Sequence, residues 1–338
     1  MFRSEPIISD VAMTERPPSS ALLLIDSEDR FRDYEQARAD PGSSPYDFTI
    51  KKSQNLMSGF FTRVAVSEIV FNWTLPNINI LTNVIIVSFG PVGGPYATAN
   101  VTLTPGFKNP STIASELQAA IITATGNPSF TMTYGTITLP GPASAIVPNF
   151  EYKTNNPALA IGFAPLPSNS AIPGSGTFPI YTKATTKQLF DILGFTVTNQ
   201  NPAVSGYGGS TMCRAVRYVD VVSNELTYNQ ALRDTMSQTI GRDSLCRIYL
   251  NEDGTSQTTV LPNSPSFSPT GCAPFTIHRQ FATPKYIQWN RDQPISGSLR
   301  FTVYDDTGTS LANYPILPTP LNRRQTENWS MTLLVSEN

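Results

Sequence analysis

The chain has 338 residues, of which 40% are apolar and 14% are charged, and its formal net charge is -2. This balance gives no long-range attraction to nucleic acid or to an anionic membrane, so packaging of a genome by charge is disfavoured. The charged fraction is well below the ~25% of an average soluble domain, and a weakly charged surface favours extensive contact with other protein.

The first 20 residues contain three prolines and no hydrophobic period, which predicts an extended N-terminal arm over residues 1–20. Strand patterns follow in ALLLIDSEDR, which ends in an acidic turn, and in YDFTI, FFTRVAVSEIVFNW and NVIIVSF. In the longest of these, alternation places Val64, Val66 and Glu68 on one face. We assign residues 21–95 to the first part of a β-rich unit.

An α+β segment is predicted over residues 96–205. PSTIASELQAAIITATG has the apolar spacing of a helix, with Asn109 or Ser111 as the N-cap and Gly126 just past the end. QLFDILGF predicts a second, shorter helix that stops at Gly194. Strands and a Pro/Ser/Gly-rich loop are predicted between the two helices.

Strand patterns return over residues 206–338, in MCRAVRYVDVVS, SLCRIYL, PFTIHRQF, KYIQW, GSLRFTVYDD and WSMTLLVS. NEDGT and DDTGT each supply an acidic-glycine turn. No segment repeats at a fixed period, which argues against propellers and solenoids. Outside the α+β segment, the patterns predict roughly eight or more antiparallel strands.

Candidate catalytic residues are few. His278 is the single histidine, so a Ser-His-Asp or Cys-His mechanism would have to use it, but a partly buried or interfacial strand histidine is preferred. Cys213, Cys246 and Cys272 have no C-x-x-C spacing and are interpreted as buried free thiols, and a Cys3His zinc site would need long-range convergence. We therefore predict no catalytic, cofactor-binding or metal-binding residues.

Acidic clusters are the other candidate sites. They are Asp26, Glu28 and Asp29; Glu252 and Asp253; and Asp305 and Asp306. None matches the spaced ligands of an EF-hand, and a glycosidase pair is defined only by its spacing in three dimensions. Turn geometry explains aspartate beside glycine, so we interpret the clusters as turns and leave cation binding open.

Two further features have a structural and a functional interpretation. SGYGGS lacks the Gly-Lys-Ser/Thr of a phosphate loop and is interpreted as a hinge or turn. Trp73, Trp289 and Trp329 could form a sugar- or base-stacking face, but they are dispersed among different strands. Core or interface packing is therefore preferred for them.

Asn72, Asn100 and Asn328 each begin a glycosylation triplet. The sequence MFRSEPIISD has acids where a signal peptide needs an apolar stretch, so we expect these asparagines to be unmodified. The longest apolar runs are too short for a membrane span.

The series of elements resembles the penton or minor capsid proteins of virophages, Polinton-like viruses and related large eukaryotic DNA viruses. The segments that carry the resemblance are LLLIDSEDR, TRVAVSEIVFNWTLPNIN, the TLTPGF-helix-FTMTY-QLFDILGF block, RYVDVVSNELTYNQALRDT, FTIHRQFATPKYIQW, LRFTVYDDTG and WSMTLLVSEN. Each segment is short, and the specificity lies in their order along residues 20–338.

The resemblance implies a mainly β fold: a single viral jelly roll, an antiparallel eight-stranded sandwich, with an inserted α+β subdomain. It implies a structural virion protein and no enzyme. Such a protein forms homopentamers that plug the five-fold vertices of an icosahedral double-stranded DNA virus capsid, between trimers of the major capsid protein. We expect synthesis in the host cell cytoplasm and a final location in the virion.

The partners implied are further copies of the chain and the major capsid protein, with other minor capsid proteins or a vertex fibre as additional candidates. Direct contact with nucleic acid and a membrane span are not expected. The arm over residues 1–20 is predicted to contact a neighbouring capsomer or the inner shell. Two alternatives stay open: another minor or cement capsid protein, and a carbohydrate-binding β-sandwich module. A glycosidase on a sandwich fold ranks third.

Overall fold

The computed structural model describes residues 20–32, 44–59, 61–139, 145–167, 188–209, 213, 216–228, 244–250, 274–290, 293–313 and 328–337. Within these residues, two larger antiparallel sheets form a sandwich, and two smaller sheets with helices lie between the third and fourth sandwich strands in the chain.

The first sandwich sheet, sheet A, has the strand order β1 (Ser20–Asp26), β15 (Ser330–Ser336), β3 (Arg63–Trp73) and β12 (Phe275–Gln280), and the short β13 (Ile287–Gln288) also pairs with β3. Sheet B has the order β11 (Ser244–Tyr249), β10 (Tyr218–Val222), β14 (Ser298–Asp305) and β2 (Asp47–Lys51). The pairings in both sheets are antiparallel.

If the eight sandwich strands are numbered in chain order, leaving out β13, their order across sheet A is 1-8-3-6. Their order across sheet B is 5-4-7-2. This interleaving of early and late strands is the order of a jelly roll, in which two Greek keys close a double sheet. The prediction of a mainly β fold, a jelly-roll sandwich with an α+β insertion, is confirmed.

Aromatic rings join the two sheets. Trp329, at the start of β15, lies 5.7 Å from Phe48 of β2 and 6.3 Å from Phe301 of β14, measured between ring centroids. On its own sheet it lies 6.2 Å from Phe71 of β3. Its indole Nε1 donates to the carbonyl oxygen of Pro45 at 2.6 Å, so the ring is both buried and hydrogen-bonded.

The face predicted for Glu68 is wrong. The register of β3 against β15 shifts between Thr332 and Leu333, so that Thr332 is opposite Glu68 and Leu333 is opposite Val66. A β-bulge inserts one residue and reverses the alternation beyond it. Val64 and Val66 therefore share the core side with Ile69, while Glu68 lies on the outer face of sheet A.

The inserted unit contains two three-stranded sheets. The first has the order β5 (Ala97–Thr102), β4 (Val84–Pro91), β8 (Leu159–Ala164), and the second has the order β6 (Thr131–Leu139), β7 (Ala145–Lys153), β9 (Ser205–Tyr207). Helix α2 (Pro110–Thr125) packs against β5 and β6, and α3 (Leu189–Ile192) precedes Gly194.

The signals for α2 operate as the sequence predicts. The Asn109 side chain accepts a hydrogen bond from the Thr112 backbone at 2.8 Å, Pro110 occupies the first turn, and Gly126 ends the helix at φ +66°. Ile113, Leu117 and Ile121 form its buried stripe.

The strand NVIIVSF was predicted within residues 21–95, beside the sandwich strands. In the structure it is β4, which pairs with β5 and β8 and with neither sandwich sheet. A strand that is buried on both faces has a continuous run of apolar residues, and such a run does not indicate which strands it pairs with. On these pairings we propose that the inserted unit covers residues 74–217, in place of 96–205.

Asn77 fixes the inserted unit where the chain enters and leaves it. Its side-chain amide donates to the Lys108 carbonyl at 2.8 Å and to the Cys213 carbonyl at 3.1 Å, and its Oδ1 accepts from the Lys108 backbone at 2.9 Å. The residue is buried. The apolar side chains of the insertion and the sandwich form one continuous core cluster, so the insertion is not a tethered appendage.

The LLLIDSEDR segment closes the sandwich beside Trp329. The Ser27 backbone N–H donates to the Trp329 carbonyl at 2.9 Å, and the Trp329 backbone N–H donates to the Ser27 hydroxyl oxygen at 2.9 Å. Asn328 Oδ1 accepts from Arg30 at 2.9 Å. The Asn328 amide also donates to Glu28 Oε1 at 2.8 Å. These contacts lie within the fold, so they give the motif a structural role and hold the Asn328 side-chain amide in hydrogen bonds.

Asn328→Asp should lower the free energy of unfolding by about 2 kcal/mol, because the amide donor is lost and a second carboxylate faces Glu28. Chemical denaturation followed by circular dichroism measures this. Asn100→Asp is the matched control, since Asn100 also begins a glycosylation triplet but is exposed on β5. Equal stability of the two variants would contradict the proposed role of Asn328.

Candidate assembly surfaces

The single histidine lies on the outer face of sheet A. His278 Nε2 contacts Glu68 Oε1 on the neighbouring strand, and 58% of its side chain is exposed. It is therefore more exposed than a partly buried histidine, because the bulge in β3 and the edge position of β12 bring this pair to the surface. The other predicted position, at an interface, stays a prediction. Within the described residues, no three His, Cys, Asp or Glu side chains group as metal ligands.

The described acidic clusters lie in turns. Asp305 Oδ1 accepts from the backbones of Thr307 at 2.9 Å and Thr309 at 2.8 Å, and Gly308 has φ +88°. Asp26 Oδ1 accepts from the Glu28 backbone at 2.7 Å. These are turn-stabilising contacts of the kind that aspartate makes. The Glu252 and Asp253 cluster and the NEDGT turn lie outside the described residues, as do Cys272 and nearly all of the predicted arm.

The glycine-rich segment SGYGGS, predicted as a hinge or turn, begins with strand β9, and Gly208 and Gly209 after it pack against the end of QLFDILGF. A Cβ at Gly208 would lie 2.4 Å from the Leu193 carbonyl oxygen, and a Cβ at Gly194 would lie 2.5 Å from that of Gly209. The two backbones therefore touch directly, which is a packing reason for the glycines. Trp73, Trp289 and Trp329 are all at most 6% exposed, as core packing predicts.

The outer face of sheet B carries tyrosine, arginine and aspartate side chains. Tyr218 and Tyr249 face each other across β10 and β11 with ring centroids 5.7 Å apart. The Arg247 guanidinium lies 4.0 Å from the Tyr218 ring centroid and bonds both oxygens of Asp220, at 2.8 and 3.0 Å. Tyrosine and arginine are the residue types enriched at protein interfaces.

The three arginines of this region are paired within the chain. Besides Arg247, Arg300 bonds both oxygens of Asp47 at 2.9 Å, and Arg217 bonds Asp306 at 2.7 Å. Hydrogen bonds to these carboxylates raise the pKa of each guanidinium. Because each charge already has a partner, another protein could cover the face without leaving a buried unpaired ion.

An apolar ridge lies on the edge strand β1. Leu22 is 64% exposed and Leu24 is 75% exposed, while Leu23 and Ile25 alternate toward the core. Beside Leu22, across the pair with β15, lies Leu334. Large apolar side chains grouped on an edge strand are a contact site for other protein. We call Leu22 and Leu24 the β1 ridge.

A groove of about 380 Å³ lies between the edge strand β11 and the segment that follows β12. Its lining includes Val66, Leu245, Cys246, Phe281 and Thr283. Lys285 also lines it, and its Nζ donates to the Ser244 carbonyl at 2.9 Å. We call it the β11 groove.

Burial raises the pKa of the Cys246 thiol to about 12 from 9.0. At pH 8 about one thiol in 10⁴ would then be ionised, against about one in ten when unfolded, so alkylation should be about 10³-fold slower in the folded protein. The alkylation rate of the folded protein should rise about tenfold per pH unit up to about pH 12. Because the thiol ionises at a lower pH when unfolded, the free energy of unfolding should fall as the pH rises from 9.0 to about 12. Peptide mapping after timed alkylation measures this, and equal rates for folded and unfolded protein would contradict it.

Comparison with solved structures shows a similarity over nearly the whole chain. The chain is similar to the penton protein of mavirus in a crystal structure, at 9% sequence identity and a TM-score of 0.46, over 94% of this chain and 99% of that chain. No protein-family model matches the chain, and no curated protein matches it. The jelly-roll assignment rests on the strand order.

The inserted unit is almost free of charge. Between residues 74 and 217, the charged side chains are Lys108, Glu116, Glu151, Lys153, Lys183, Lys187, Asp191, Arg214 and Arg217. Lys108 and Glu116 are paired with each other. Its exposed apolar residues include Val92, Tyr96, Val197 and Tyr207. Among the described residues, no helix combines the length and apolar character needed to cross a bilayer.

Proposed function

We propose that this protein is the penton of an icosahedral double-stranded DNA virus capsid: a homopentamer that plugs each five-fold vertex between trimers of the major capsid protein. The observation that carries the proposal is the jelly-roll strand order of sheets A and B, interrupted once by a nearly uncharged α+β unit. It supports a building block with its own core and an added surface for contact with other subunits.

The surfaces favour assembly over catalysis. The arginines of sheet B are neutralised within the chain, the β1 ridge is apolar, and the inserted unit has few charges to desolvate. Contacts that bury such surfaces lose little hydration of ions, and stable interfaces bury on the order of 1,200–2,000 Å² in total. The role is geometric: copies pack side by side, and heterologous contacts close a ring.

The tryptophans that would motivate a carbohydrate-binding module are buried in the core. Glycan stacking needs an exposed ring, so these residues support the sandwich and not a sugar platform.

Native mass spectrometry and negative-stain imaging of the purified chain, alone and with the major capsid protein of the same virus, test the proposal. We expect closed rings of five copies and their capture at capsid vertices. Rings of another size, or binding at sites away from the vertices, would instead support a cement protein. A chain that stays monomeric in both conditions and binds glycans would overturn the proposal.

A further inference from the structure

We propose that the ring closes by insertion of the β1 ridge of one copy into the β11 groove of the next. This deepens the proposed function and rests on it, because it names the two surfaces that meet between neighbouring copies. The occupant of the groove is a second copy of this chain.

The two surfaces lie on opposite sides of the sandwich. β1 and β12 are the two outer strands of the order β1-β15-β3-β12, and the groove lies at the β12 side, where the segment after β12 meets β11. A heterologous interface needs two different, complementary patches on each copy, and it gives a ring when the rotation that relates successive copies closes. The ridge and the groove are two such patches.

The shapes and the apolar character also match. Leu22 and Leu24 project from the same face of β1 and are 64% and 75% exposed. An apolar cavity of about 150 Å³ holds a benzene-sized group, so a groove of about 380 Å³ has room for two leucine side chains. Val66, Leu245 and Phe281 provide its apolar wall.

Charges at the two surfaces have opposite sign. β1 runs directly into Asp26, Glu28 and Asp29, so acidic side chains follow the ridge. The groove is bordered by Lys285, and Arg279 lies close to Phe281 with its guanidinium 5.6 Å from that ring centroid. Such complementarity fixes the register of two copies and speeds their encounter.

The test uses single variants of the full chain in native mass spectrometry. Leu24→Asp places a charge on the ridge, and Thr283→Trp fills the groove from an exposed position. Each should weaken association roughly 30-fold, the effect of losing a central interface residue. Val197→Asp is the matched control, because Val197 is also 75% exposed but lies on the inserted unit, and it should leave the rings intact.

Mixing the two variants gives a second readout. The intact ridge of the Thr283→Trp copy can enter the intact groove of the Leu24→Asp copy, so the mixture should form dimers and no rings. Unchanged rings for both variants, loss of rings with Leu24→Asp alone, or equal disruption by Val197→Asp would each overturn this interface. A wild-type chain that forms no ring would overturn the homopentamer itself. Thermal melting of each variant, expected to match the wild type, confirms that loss of rings is not unfolding.

Discussion

Trp329→Ala should lower the free energy of unfolding by about 3–5 kcal/mol, the range for removing a large aromatic side chain from a well-packed core. Trp329 contacts Phe71 on sheet A and both Phe48 and Phe301 on sheet B. Its loss would leave a cavity at the junction of the two sheets. Chemical denaturation with circular dichroism detection measures the change.

Trp329→Phe is the control that separates packing from hydrogen bonding. Phenylalanine keeps a ring between the sheets but loses the Nε1 bond to the Pro45 carbonyl, so we expect a loss of only about 1–2 kcal/mol. If Trp329→Ala costs less than about 1 kcal/mol, the two sheets do not share the core described here. Similar losses for both variants would assign the effect to the hydrogen bond.

Local signals in the sequence predicted local structure well. α2 lies between the predicted cap residues Asn109 and Gly126. In the DDTGT turn, Asp305 accepts hydrogen bonds from residues at most four positions further along the chain. These features are formed by residues that are close together in the sequence, so a short stretch of sequence is enough to predict them. The stop at Gly194 belongs to the same class.

Features that depend on distant partners were not predicted. The pairing of β4 with β5 and β8, the bulge that turns Glu68 outward, and the side-chain contacts of Asn77 each require segments far apart in sequence. An apolar run or a polar asparagine has the same pattern whichever partner it finds.

For the assembly surfaces too, the sequence predicted the general character but not the features that depend on distant partners. That the surface favours protein contact follows from the 14% charged fraction. The concentration of Leu22 and Leu24 on an edge strand follows only once β1 is placed outside β15. The β11 groove is lined by residues of β3, of β11 and of the segment after β12, so no single segment of the sequence predicts it.

The glycines of SGYGGS provide the last prediction, because they join the two halves of the inserted unit. The Gly208 backbone N–H donates to the carbonyl of Phe150 in β7 at 2.9 Å. The Cα of Gly208 faces the carbonyl of Leu193, just after α3. Gly208→Ala should lower the free energy of unfolding by about 3 kcal/mol, at the upper end for overpacking, because the added Cβ meets a backbone oxygen.

The matched control is Gly135→Ala on β6 of the same unit, where an added Cβ would have no heavy atom within 4 Å. It should be neutral or stabilising by about 0.5 kcal/mol, since alanine restricts the unfolded chain more than glycine. A stable Gly208→Ala variant would show that the loop is the hinge which its composition also permits. A destabilised one would show that close packing of these glycines holds the end of α3 against the end of β9.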